Sequence, residues 1–303
     1  MDEAATPARR TGARARTTKK DGSKLVLAPN PHAAEPKTRA AFFYLTACLK
    51  RIYLSCMKKV LGVIPARLHS TRLPRKMLQD ICGKPLIQHT YEQTAKARKL
   101  DALIVATDSE EIASVVRGFG GTPMMTSSKH KTGSDRVAEA ARKFKGFKPD
   151  IVVNIQGDEP LVPGSAIDKL VEGMIKDKTA DMGTIGLPFN DTKRLSSPEV
   201  VKVIVDKNDN ALYFSRSIIP YPRSPYNNYY SKLGLYAFRF NFLQKYVKLP
   251  QTPLEITESL EQLRALEHGY KVKVVFGNYI REEVNSASEL KRVRAIMRKM
   301  LKK

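Results

Sequence analysis

Residues Val60 to Lys76, VLGVIPARLHSTRLPRK, constrain this chain more than any other stretch. Val60, Leu61, Val63 and Ile64 make a short apolar run that predicts a buried strand. Pro65 has no N–H to offer a sheet ladder, so the strand is predicted to end there. The residues that follow, Ala66 to Lys76, bring Arg67, Ser70, Thr71, Arg72, Arg75 and Lys76 into one loop. Open α/β sheets bind ligands beyond the carboxyl ends of their strands. A cluster of cations and hydroxyls there suits a polyphosphate, because Arg offers forked donors to phosphate oxygens and Lys a compact charge. Taken alone, the same loop also reads as a solvated basic surface.

Downstream, Gln79 to Pro85 reads as a turn and Leu86 to Lys99 as an amphipathic helix, with Pro85 near the first helical turn. Leu103 to Ala106 is a second buried strand. Thr107-Asp108 then caps a helix through Val116, which Gly118, Gly120 and Gly121 break. Pro123 to Met125 is a third strand, Ser134-Asp135 opens a helix through about Lys145, and Asp150 to Ile155 (DIVVNI) is a fourth strand. This alternation predicts an α/β fold with a doubly wound, mostly parallel sheet. The fourth strand runs straight into Gln156-Gly157-Asp158-Glu159-Pro160. A carboxylate at Asp158, on the same sheet edge as the basic loop, fits a hard divalent cation bridging phosphates. An Asp there is equally a common turn former, and Glu159 reads as structural.

After a helix from Ser165 to Lys176, strands are predicted over Met182–Leu187, Val200–Val205, Leu212–Ser215 and Leu233–Arg239, with fewer helices between them. The second half therefore reads as a smaller, more antiparallel substrate lobe. Leu254 to His268 is predicted as one helix whose Glu255, Glu258, Glu261 and Gln262 are by default a wetted face. Val272–Val275 is a last strand and Ala287–Lys303 a basic terminal helix.

Composition excludes several classes. No run approaches the roughly 20 apolar residues of a membrane span. Cys48, Cys56 and Cys82 show neither metal spacing nor a disulfide framework, which favours a reducing, cytoplasmic setting. The net charge of +23 raises the question of nucleic acid. Residues 1–56 hold eleven Lys/Arg against four Asp/Glu, a surplus of +7 that leaves +16 for the remainder. That remainder is spread along the chain without an RRM, KH or zinc pattern, so no nucleic-acid partner is expected. The front segment, 1–56, is a basic low-complexity extension that cannot bury a core up to about Ala40. Three readings of it stand: a disordered tail with a short amphipathic helix, an organelle-type transit peptide, or an over-extended gene start with Met57 as the natural first residue. The functional domain is expected over 57–303.

The segments VIPARxxSTRLPxK (63–76), CGKPLIQH (82–89), IVATDSEEI (104–112), KTGSDR (131–136), VNIQGDEP (153–160), VKVIVD (201–206), ALYFSRSIIP (211–220), LGLYAF (233–238) and PLEITESLEQLRALEHG (253–269) together resemble the 3-deoxy-manno-octulosonate (Kdo) cytidylyltransferases. The resemblance runs in order from about Met57 to Arg298. It implies a nucleotide-diphospho-sugar transferase-like fold, CTP and an acidic 3-deoxy-ulosonic sugar as substrates, Mg2+ as cofactor, and a homodimer paired through the smaller lobe. Carried over by position, Arg67, Ser70, Arg72 and Lys76 would hold the triphosphate, with Ser134 and Arg136 near the nucleotide. Asp158 would bind magnesium. Gln156, Arg216, Tyr236, Glu261 and Gln262 would face the sugar. Arg67, Lys76 and Asp158 would thus carry the chemistry.

Three departures from the family pattern stand out. Arg75 replaces a usual Gly, and Lys232 replaces a usual His. Asn285 replaces the second metal carboxylate, where an amide brings an oxygen without charge; the neighbouring Glu283 is a candidate substitute. Alternatives to Kdo are an amino-Kdo, a neuraminate or a pseudaminate, and a catalytically weakened homologue.

Overall fold

A computed structural model describes residues 58–70, 72–189 and 195–301, all within the unit Met57–Lys303. The expectations for 1–56, for Cys48 and Cys56, and for Thr71 lie outside the described residues. The first strand, β1 (Val60–Ala66), is buried almost throughout. It does not stop at Pro65 as predicted. Its parallel pairing with β6 (Ile151–Ile155) ends at Val63, whereas the pairing with β4 (Ala102–Thr107) continues through Pro65 to Ala66. One flank of the strand thus asks no donor of the proline, and the strand passes through it. Cys82 and Gly83, at φ 55° and 87°, turn a short hairpin of β2 (Asp80–Ile81) and β3 (Lys84–Pro85) where the sequence predicted a turn.

Helices and strands then alternate as expected: α1 (Leu86–Thr94), β4, α2 (Glu110–Gly118), β5 (Pro123–Met125), α3 (Gly133–Lys143), β6, α4 (Gly164–Lys176) and β7 (Met182–Pro188). The sequence predicted Thr107-Asp108 as the cap of α2; Ser109 occupies that place, its side chain accepting from the Ile112 N–H. The cap of α3 is Thr132, which closes a reciprocal box with Asp135. The second half adds β8 (Lys202–Val205), β9 (Ala211–Ser215), β10 (Tyr230–Arg239), α5 (Phe240–Tyr246), α6 (Pro253–Glu258), α7 (Leu263–Glu267), β11 (Val272–Phe276) and α8 (Ala287–Leu301).

These strands do not form a detached sheet. The main path runs β11-β7-β10-β6-β1-β4-β5, with β8 joined to β10 and β9 to β8, a nine-stranded whole. The first-half strands pair in parallel, and β10 enters antiparallel between β6 and β7. The expected antiparallel character of the second half is therefore present as β8, β9 and β10, attached to the parallel sheet rather than standing apart. Apolar side chains of α1, α2 and α4 cover one face and those of α3, α5 and α7 the other. The terminal helix α8 packs Leu290, Val293 and Met297 over Ile81, Leu86 and Val284.

Two local features shape the site. The predicted helix from Leu254 to His268 is broken in two, because Ser259 adopts φ 50° and ends α6. The break leaves Glu261 and Gln262 on a turn instead of a helix face. In β10 the register against β7 shifts between Lys232 and Tyr236. At Gly234 within that shift, a Cβ would stand 2.1 Å from Glu159 Oε1, so only glycine lets that carboxyl close on the strand.

Candidate active site

The carboxyl ends of β1 and β6, with the N-terminus of α3, enclose a cavity of about 720 Å³. Of the residues singled out in the sequence, Arg67, Ser70, Arg72, Lys76, Arg136, Gln156 and Asp158 all line it. Among the described residues, Arg67 and Arg72 pair with no carboxylate, so their charge is open to an anionic ligand. Arg136 is buried and donates to Asp108 (2.8 Å) and Thr126 (2.7 Å), which fixes its guanidinium at the cavity wall. Arg75 has φ 51°, a conformation that favours glycine and accounts physically for the Gly the resemblance led one to expect. Its guanidinium pairs with Glu111 at the cavity's edge.

Lys76 and Asp158 meet directly. Lys76 Nζ donates to Asp158 Oδ2 at 2.6 Å and to Asn285 Oδ1 at 2.9 Å. A cation thus already sits against both oxygens, and the donor set is oxygen alone. That set fits magnesium, which takes one or two protein oxygens and completes its shell with phosphate and water. Among the described residues no group of three or more His, Cys, Asp or Glu is placed to hold a metal by itself. Glu283 accepts from Arg281 (2.8 Å) and from Asn285 Nδ2 (3.1 Å). The second bond turns the Asn285 oxygen toward Lys76. Burial would raise the Glu283 carboxyl, but Arg281 outweighs it and holds it below the usual range.

Beside the cavity, β6, β10 and the α6–α7 turn build a polar floor. Tyr236 on β10 lies opposite Asn154 on β6, and its hydroxyl donates to Gln262 Oε1 at 2.9 Å. Ser134 Oγ donates to Glu261 Oε2 at 3.1 Å. Glu261 Oε1, Gln262 Nε2 and Asn154 Oδ1 are buried with no hydrogen-bond partner among the described residues. Orphaned buried polar atoms are costly unless a ligand meets them. Arg216 is differently engaged: it donates to the backbone oxygens of Glu258 (2.8 Å) and Pro198 (2.8 Å).

Two further ionisable groups, Glu159 and Lys232, lie beside this floor. Glu159 is 3% exposed and accepts the Gly234 N–H at 3.1 Å. Burial, reinforced by the charges of Glu283 and Asp158, pushes its carboxyl up to about 8. Burial likewise brings the Lys232 ammonium down to about 8, with Arg281 adding to the effect. Burial also drives the Tyr236 phenol well above its ordinary value, so it stays protonated.

Sequence reasoning did not select Asn154, Thr132 or His130, although the last two line the cavity. Asn154 had a signal: an amide inside an otherwise apolar strand, IVVNI. Thr132 is the cap that sets the start of α3. A lone loop histidine such as His130 carried none.

The cytidylyltransferase family profile matches residues 61–274. A 3-deoxy-manno-octulosonate cytidylyltransferase from Syntrophobacter fumaroxidans is 46% identical over 238 residues, covering 78% of this chain and 95% of its own. One from Geobacter metallireducens is 42% identical over 247 residues, covering 78% and 96%. Among solved structures, a CMP:2-keto-3-deoxy-manno-octonic acid synthetase in complex with CTP superposes with a TM-score of 0.76 at 38% identity, covering 80% of this chain and all of that one. A 4-diphosphocytidyl-2C-methyl-D-erythritol synthase from Anaerococcus prevotii, at 14% identity and a TM-score of 0.54, shares the fold. The cavity between β1 and β6, its cations and its neighbouring polar floor thus belong to a member of the 3-deoxy-manno-octulosonate cytidylyltransferase family.

Proposed function

We propose that this chain joins CTP to Kdo, giving CMP-Kdo and pyrophosphate, and so activates an acidic sugar for lipopolysaccharide biosynthesis. The observation that carries this reading is the meeting of unpaired cations and the Lys76–Asp158 pair on one rim, beside a floor of orphaned polar atoms. In the reaction the anomeric hydroxyl oxygen of the sugar bonds to the α-phosphorus of CTP. The bond from that phosphorus to the bridging oxygen breaks, its electron pair leaves on pyrophosphate, and the hydroxyl proton is released. Such a transfer asks the protein for in-line positioning and for neutralisation of growing phosphate charge. Arg67, Ser70, Arg72 and Lys76 bind the triphosphate, and Arg136 and Ser134 border the nucleotide. Gln156, Tyr236, Glu261 and Gln262 orient the sugar. Arg216 supports that pocket through the backbone it clamps.

Magnesium is proposed as the cofactor, held by Asp158 with Asn285; when bound it supplies positive charge to the phosphate oxygens. A homodimer is proposed on the family resemblance, and Leu212 and Tyr221, 59% and 82% exposed, supply apolar surface in the second half for it. No described helix is long and apolar enough to cross a membrane. A cytoplasmic site is proposed because the reaction consumes CTP.

The test is pyrophosphate release from CTP and magnesium with Kdo, neuraminate and pseudaminate supplied in turn. Release that requires both CTP and Kdo supports the reading. Release with another sugar only, or with none, overturns it.

A further inference from the structure

We propose that Lys232 is a positioning residue that fixes the direction of hydrogen bonding in the sugar pocket, leaving the Gln262 amide N–H2 as a donor aimed at an acceptor oxygen of the sugar. The inference deepens the proposed function and rests on it.

Lys232 and Tyr236 flank the register shift in β10. Lys232 Nζ lies 2.6 Å from the Tyr236 hydroxyl oxygen and 4.6 Å from the centre of its ring. An ammonium has donors and no acceptor. The Tyr236 oxygen must therefore accept from Lys232, and its own hydrogen turns to the other neighbour, Gln262, 2.9 Å away. That neighbour must present an oxygen. The amide is thereby oriented: Gln262 Oε1 is spent on Tyr236, and Nε2 is left buried without a partner among the described residues. A buried donor without a partner is costly until a ligand supplies an acceptor.

A neutral imidazole can donate or accept at its ring nitrogens. The His that the family resemblance leads one to expect at this position would leave the direction of the chain free. Lys232 as an ammonium removes that freedom; burial and the charge of Arg281 bring it down to about 8, which leaves the ammonium the main form at neutral pH. Burial keeps Tyr236 a phenol, so it remains able to pass its hydrogen on. The pocket is consequently biased toward a sugar carrying a carboxylate or hydroxyl oxygen at this point, and against one carrying an ammonium there.

The test uses the full chain and pyrophosphate release, with KM measured separately for Kdo and for CTP. Four proteins are compared: the wild type, K232M, Y236F and the double variant. K232M is expected to raise the KM for Kdo by about tenfold, the scale of one lost buried hydrogen bond, with the KM for CTP unchanged. In the Y236F background K232M is expected to add nothing, because the chain of bonds is already cut. K232R, which keeps a donor-only group, is expected to recover part of the affinity lost in K232M; if K232M does not fold, K232A takes its place with the same rise in the KM for Kdo expected. An unchanged Kdo KM in K232M, an equal rise for CTP, additive losses in the double variant, or a K232R as impaired as K232M overturns the proposal. A wild type that releases no pyrophosphate with any acidic sugar overturns the functional reading itself, and the inference with it. An active wild type with variants that fail this pattern overturns the role of Lys232 alone.

Discussion

Glu255→Gln tests whether one buried ion pair holds the turn that presents Glu261 and Gln262. Glu255 and Arg264 are 4% and 5% exposed. Arg264 Nε donates to Glu255 Oε2 at 2.8 Å, and a second guanidinium nitrogen donates to Oε1. The same carboxylate closes the capping box with Thr252 at the start of α6. Because Ser259 breaks the helix between them, no continuous ladder of backbone bonds joins α6 to α7. Burial would raise the Glu255 carboxyl, but the bonds and charge of Arg264 outweigh it and hold it below its ordinary value, so it is the charged form that is used. Glutamine keeps the shape and removes the charge, stranding a buried guanidinium. The expected cost is about 3–5 kcal/mol, the usual loss on breaking one side of a buried pair. At roughly 2–4 °C per kcal/mol for a domain of this size, the thermal midpoint falls by about 6–20 °C. Circular-dichroism melts at neutral pH read this directly. The double variant E255M/R264M removes both charges and is expected to regain at least half of the loss, since two apolar side chains leave nothing unpaired. A drop of less than about 3 °C in the single variant, below the smallest shift worked out above, would refute the reasoning. So would a double variant that melts lower than the single one.

Two further outcomes follow from the charges around the site. Glu159 has its folded pKa raised by burial to about 8 from an ordinary 4.5, so the stability it contributes is complete below pH 4.5 and drains away as pH rises toward 8. Gln cannot titrate, so the urea midpoints of E159Q should gain on the wild type between pH 5.5 and 7.5, by about 1.4 kcal/mol per pH unit; a constant gap counts against it. N285D places a second carboxylate against Lys76 and Asp158 and beside Glu283. Without metal it should melt lower than the wild type, and its midpoint should rise more on adding magnesium chloride; equal shifts in both proteins would show that Asn285 lies outside the metal's reach.

Much of the first half was legible because buried parallel strands read as unbroken apolar runs and their helices carry capping residues. VLGVI, LIVA and DIVVNI are of this kind, and each became a sheet strand within a residue or two. The basic loop and QGDEP were placed on one rim by that alternation alone, and Lys76 and Asp158 do meet there. Pro65 misled because the rule against proline concerns a paired flank, and pairing is not visible locally. Ser259 misled because a left-handed residue other than glycine leaves no mark in the sequence. The position of β10 between β6 and β7 could not be read either, since antiparallel insertion depends on partners far along the chain. For the same reason the bonds of Arg216 to backbone oxygens of the remote residues Glu258 and Pro198 could not be read from the sequence, and the family resemblance alone placed it at the sugar. The direction of the Lys232–Tyr236–Gln262 chain needed both the register shift and the helix break.

The insertion of β10 has a bearing on how turnover proceeds. Asn154 on β6 and Tyr236 on β10 are neighbours across a hydrogen-bonded ladder, so the cavity edge at β6 and the polar floor on β10 are stitched into one fabric. Parting them like the jaws of a clamp would tear that fabric. Movement during turnover is therefore expected of segments outside the sheet, such as 72–75 and 216–229, and the pace of the enzyme is expected to be set at its fringes.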